Sequence, residues 1–94
     1  MFLNCSFNHI PLNINKRQEN EKKFTNWEES PDGSRIYWFE IGGRLGWKAR
    51  YVKTVDREEV TLTFCQKIYN ESGILVEIHE KYPIDKGHIK IEKP

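Results

Sequence analysis

From residue 34 onward, apolar and polar side chains alternate with a period of two over most of the chain, the pattern a pleated strand imposes. The longest such run is 44–56. In it Leu45, Trp47, Ala49, Tyr51 and Val55 share one face, and Gly46, Lys48, Arg50, Val52 and Thr54 share the other. Ser34 to Ile41 precedes it across Gly42-Gly43, a dipeptide suited to the positive φ angles of a two-residue hairpin turn. That turn predicts Trp38 opposite Trp47, Ile36 opposite Ala49 and Tyr37 opposite Lys48, with the two tryptophans on the core side.

Asp56-Arg57-Glu58-Glu59 reads as a polar connection into a strand over 60–69 with Val60, Leu62, Phe64 and Ile68 inward. Asn70-Glu71-Ser72-Gly73 has the residues of a type I turn closed by a glycine bulge. The next strand, 74–82, would point Ile74, Val76, Ile78 and Tyr82 inward. After an interruption at 83–87, the stretch 88–92 offers a short fifth strand with Ile89 and Ile91.

The first thirty-three residues form an arm of different character. Within 2–15, Leu3/Cys5/Phe7 and Ile10/Leu12/Ile14 alternate around Asn8-His9, which fits either a hairpin or an irregular segment that orders against the main sheet. Residues 16–28 are polar, of alternating charge and rich in helix formers, which fits either a short surface helix resting on Phe24 and Trp27 or a mobile tether. Ser30-Pro31-Asp32-Gly33 then stops it. The expectation is an α+β chain: an arm over 1–33 and a sheet domain over 34–94. That domain is a four- to five-stranded antiparallel meander, curled or half-barrel, with the arm or a second copy covering its apolar face.

Composition narrows the function only by exclusion. Fifteen Lys and Arg against fourteen Asp and Glu leave a net charge of +1, too small to mark a nucleic-acid binder by charge alone. The N-terminus has neither a basic leader nor a long apolar run, so it predicts a cytoplasmic chain without a membrane anchor. Cys5 and Cys65 lack metal spacing and read as free thiols, although one bridge between them stays open. No cofactor motif and no metal site is expected, because neither a glycine-rich phosphate loop nor an H-x-H or C-x-x-C spacing occurs.

Two constellations remain. The predicted outer face collects Tyr37, Phe39, Lys48, Arg50, Thr61, Thr63, Cys65, Lys67, Tyr69, Glu77, His79 and Lys81. Of these Tyr37, Phe39, Lys48, Arg50, Lys67, Tyr69 and Lys81 supply rings for stacking and cations for phosphate, as a single-stranded RNA platform would need. A solvated sheet face has much the same composition. The second constellation is Glu77, His79, Glu80, Asp85 and His88. Two imidazoles with Lys or Arg could serve as base, acid and phosphorane stabiliser in metal-independent RNA cleavage. If Lys81 faces Lys90, however, His79 and His88 stand about 13 Å apart along the sheet.

The ending ESGILVEIHEKYPIDKGHIKI resembles the small prokaryotic TumE-like toxins of toxin–antitoxin pairs, whose last strands run through a D/N-G-x-L stretch into a histidine-rich close. Ser72-Gly73-Ile74-Leu75 and Asp85-Lys86-Gly87-His88 carry the likeness, over the last third of the chain. Single histidines at 79 and 88 stand where that family tends to have clusters. The resemblance implies a compact cytosolic protein with an RNA or protein partner. The first expectation is thus a non-catalytic binding module for RNA or a partner protein, with a homodimer as a further arrangement. The alternative is a toxin-like ribonuclease using His79 and His88.

Overall fold

The computed structural model describes residues 13–91, in which one helix precedes a six-stranded antiparallel sheet whose strands lie side by side in chain order. The helix α1 is Ile14–Lys23; the strands are β1 Asn26–Glu29, β2 Arg35–Gly42, β3 Lys48–Val55, β4 Thr61–Tyr69, β5 Leu75–Tyr82 and β6 His88–Lys90. Among the described residues no strand pairing closes the sheet, and β1 and β6 stand at the two ends of the strand order. The α+β class is as expected, with more strands than the four or five anticipated. Most of the hairpin predicted over 2–15 lies outside the described residues; its last positions belong to the start of α1.

The helix is shorter than the predicted 16–28. Asn13 caps it, its side chain accepting from the Lys16 N–H at 3.0 Å, and Lys22 and Lys23 place positive charge at the C-terminal end, as the helix dipole favours. Phe24 leaves the helix in an extended conformation. The following Asn-Trp-Glu-Glu pairs with β2, Trp27 opposite Tyr37 and Glu29 opposite Arg35, so Trp27 sits on a strand and not on the helix.

Three hairpins use one turn chemistry. Ser30–Ser34, Asp56–Val60 and Asn70–Ile74 each close with a hydrogen bond from the first N–H to the last carbonyl, at 2.8, 2.9 and 2.9 Å. The fourth residue of each has a positive φ: Gly33 at 89°, Glu59 at 68° and Gly73 at 79°. Asp56 and Asn70 each accept two downstream backbone N–H groups, which fixes the bend. The glycine-bulge turn expected at Asn70 to Gly73 is therefore present, and the middle copy uses glutamate where the other two use glycine.

The β2–β3 turn differs from expectation. It runs over Gly43–Trp47 as a short 3₁₀ turn with Leu45 at φ 60°, closed by Gly43 N–H to the Trp47 carbonyl at 2.7 Å. Trp38 consequently pairs with Val52 and Tyr37 with Lys53, five positions away from the predicted register. An odd shift exchanges the two faces of one strand relative to the other. Tyr37 and Phe39, predicted outward, share a face with Tyr51; Ile36 and Trp38, predicted inward, lie on the opposite one. A bulge between Ile68 and Tyr69 has the same consequence for β5, where Glu77 and His79 join the face of Tyr51 and Phe64 while Val76 and Ile78 leave it.

The helix lies over the face of Tyr37, Phe39, Tyr51 and Phe64. Phe24, Tyr37 and Val55 are fully buried there. The Phe24 ring stands 5.8 Å from Tyr37, 5.3 Å from Phe39 and 6.4 Å from Phe64, and Phe39 stacks on Tyr51 at 4.9 Å. This aromatic cluster is the core, and it takes the place of the expected tryptophan pair.

Candidate functional site

Beneath α1 the docking is polar, not apolar. Glu59 is 2% exposed, and its carboxylate accepts from Arg17 Nε at 3.0 Å, from Asn20 Nδ2 at 3.2 Å and from the Tyr37 hydroxyl. Burial, and then the hydrogen bond to the Glu59 carboxylate, raises the Tyr37 hydroxyl to about 12. Lys53 donates to Asn20 Oδ1 at 2.9 Å and borders a cleft of about 520 Å³ with Lys16, Lys23, Phe24, Phe64 and Tyr82. Burial first, and then the charges of Lys16 and Lys23, lower the Lys53 ammonium from its ordinary value.

No described element covers the opposite face of the sheet. Ile36, Trp38, Val52, Cys65 and Ile78 follow its middle, and Glu28, Ile36, Trp38, Arg50, Val52 and Lys67 line a shallow groove of about 370 Å³. Ile36 is 41% exposed and Trp38 half-buried. The cross-strand row Glu40, Arg50, Lys67 sets one carboxylate beside two cations, and Arg50 Nε reaches Glu40 Oε2 at 2.8 Å. The Arg50 guanidinium also stands over the Tyr69 ring at 5.5 Å, beside Lys48.

The seven residues proposed as one ligand platform thus divide. Lys48, Arg50, Lys67 and Tyr69 share the uncovered face, whereas Tyr37 and Phe39 are in or against the core and Lys81 lies over the Tyr51 and Phe64 rings at 5.5 and 5.9 Å. Cys65 is on the uncovered face too, but burial raises its thiol pKa, opposite to the activation that a neighbouring cation would give. Trp38, assigned to the core by the tight-turn register, is the aromatic that sequence reasoning missed here. Its alternation is visible, and the length of the following turn, Gly43–Trp47, decides the face.

The histidines meet. The loop 83–87 sets β6 four positions from the expected register, so His79 pairs directly with His88 and Glu77 with Lys90. The two rings approach with centroids 4.3 Å apart, and His79 Nδ1 lies 3.1 Å from His88 Nε2 in place of the predicted 13 Å. His79 Nε2 contacts Asp85 Oδ1 at 2.6 Å, and His88 Nδ1 contacts the Glu77 carboxylate. Asp85 is itself held by the Gly87 N–H at 2.9 Å. That bond first, and His79 second, lower its carboxyl pKa. The spacing Asp85-x-Gly87 is the sequence trace of this bend. The result is one chain of four side chains: carboxylate, imidazole, imidazole, carboxylate.

Among the described residues no helix is long and apolar enough to cross a membrane, and no group of three or more His, Cys, Asp or Glu is arranged to hold a metal ion. Comparison with protein-family models, with curated proteins and with solved structures finds no match.

Proposed function

We propose that the chain works as a binding module and not as an enzyme, and that it meets a protein surface through the uncovered face of its sheet. The observation that carries this reading is the one-sided cover among the described residues: α1 and Phe24 lie over part of one face, while no described element lies over the other, where Ile36, Trp38, Val52 and Ile78 stand among charged side chains. A two-layer domain buries both apolar faces, and a single sheet that leaves one open is half of an interface. Charge selects protein over RNA. Lys48, Arg50 and Lys67 share this face with Glu28, Glu40 and Glu80, and Arg50 is already paired with Glu40. With Tyr37 and Phe39 in the core, two rings, Trp38 and Tyr69, remain for stacking.

A second copy is the occupant that fits best, because a face that carries both cations, Lys48, Arg50 and Lys67, and carboxylates, Glu28, Glu40 and Glu80, around an apolar middle can meet the same patch on a rotated copy. Sedimentation velocity over a wide concentration range tests it, run on the wild type and on Val52→Lys, beside anisotropy of a labelled single-stranded RNA at two salt concentrations. A concentration-dependent dimer lost in Val52→Lys supports the reading. A monomer throughout overturns self-association. Salt-sensitive RNA binding lost in Arg50→Ala/Lys67→Ala replaces the protein partner with RNA.

One observation favours the alternative, metal-independent RNA cleavage: the contact between His79 and His88, on the same sheet face as Lys81. Cut RNA on a gel that disappears in a His79→Gln/His88→Gln variant would establish it over the binding reading.

A further inference from the structure

The histidine pair poses a question of its own, independent of the docking face. Asp85 and Glu77 each face one ring nitrogen, and a carboxylate accepts a hydrogen bond there only if that nitrogen carries the proton. In the neutral rings this fixes the tautomers: His79 is protonated on Nε2 and His88 on Nδ1. The remaining nitrogens, His79 Nδ1 and His88 Nε2, then carry lone pairs, and these are the two atoms that meet at 3.1 Å. Two lone pairs at that distance repel unless a proton or a metal cation lies between them.

We propose that His79 and His88 form a two-imidazole site for a nitrogen-preferring divalent transition metal, of the Cu²⁺, Ni²⁺ or Zn²⁺ class. Two imidazoles on a tetrahedral ion at about 2.0–2.1 Å stand about 3.3–3.4 Å apart, close to the separation already present. The outer nitrogens have the partners that metal-bound imidazoles generally have, a carboxylate behind each ring that fixes its tautomer and raises its basicity. Imidazole donors suit this part of the transition series. The site is half rigid and half open: the His79 side chain is 15% exposed in the sheet, and that of His88 49% exposed on the edge strand. Among the described residues no third His, Cys, Asp or Glu completes a metal-holding group, so these residues leave the remaining coordination positions open to water or to another donor.

The test titrates the full chain with Cu²⁺ and, separately, Zn²⁺ at about pH 7.5 against a chromophoric chelator, with the electron paramagnetic resonance spectrum of the Cu²⁺ form as a second readout. The expected result is one ion per chain and a spectrum showing two equatorial imidazole nitrogens. His79→Gln and His88→Gln each abolish binding, and His9→Gln leaves it intact. Glu77→Gln and Asp85→Asn, which keep both ligands and the fold, weaken the affinity by about 10–100-fold. Should a histidine variant not fold, the carboxylate variants decide. Absence of binding, meaning that a shared proton fills the gap, overturns the proposal. So does binding that persists in both histidine variants or is unchanged in both carboxylate variants.

Discussion

Replacing Glu59 probes the whole connection between helix and sheet. The residue holds a left-handed φ of 68° at a turn position that glycine occupies in the two sister hairpins, and a side chain there costs about 1–2 kcal/mol. Its carboxylate receives Arg17, Asn20 and the Tyr37 hydroxyl, all drawn out of water. Glu59→Ala keeps the strained backbone and removes the carboxylate that Arg17, Asn20 and Tyr37 share. Breaking a buried ion pair from one side destabilises by about 3–5 kcal/mol. Glu59→Gly loses the same acceptor but relieves the strain, so it should lie about 1 kcal/mol above the alanine variant and still well below the wild type. A chain of this length has about 5–14 kcal/mol in total, so the alanine variant loses a large share of it. Urea unfolding followed by circular dichroism and by tryptophan fluorescence measures both. With slopes of about 1–3 kcal/mol per M, the alanine midpoint should fall by at least about 1 M. A loss below about 1 kcal/mol in Glu59→Ala, or a Glu59→Gly variant more stable than the wild type, would refute the assignment of the network as the tie that docks α1.

Two further outcomes follow from the same geometry. Tyr37 titrates at about 12 in the folded chain against 10.0 when unperturbed, so its contribution is fully present below about pH 10 and is lost as pH rises from 10 towards 12. A shift of this size corresponds to about 2–3 kcal/mol, and the urea midpoint of the wild type should fall more steeply over that window than that of Tyr37→Phe; parallel slopes would contradict it. Gly33→Ala should destabilise more than Gly73→Ala. Both have positive φ, but a Cβ on Gly33 would sit 2.9 Å from Arg57 Cβ, whereas at Gly73 nothing lies within 4 Å. Equal melting temperatures of the two variants would show that strain alone decides.

Much of the fold was legible. The strands from residue 35 onward follow from alternation, and the Asn70 to Gly73 turn follows from its residue types, because both signals are local. Strand β1 was not legible: all four of its residues are exposed, and it exists through pairing with β2. The short helix docks through Arg17 and Asn20, with no apolar stripe to show the contact. The candidate sites were legible as residue types and not as places. Arg50, Lys67 and Tyr69 were grouped correctly with one another but wrongly with Tyr37 and Phe39, since the β2–β3 register depends on a five-residue turn that Gly42-Gly43 did not suggest.

By itself, then, the sequence determined the strands from residue 35 onward, their order and the chemistry available to them, because strand period and turn preference are properties of neighbouring residues. Tertiary structure decided which side chains meet. A turn three residues longer than expected turned β2 over, one bulge did the same for β5, and the length of loop 83–87 brought His79 against His88. In each case the cause is the same: a strand's faces repeat every two residues, so any error in loop length becomes an exchange of faces or a displaced partner.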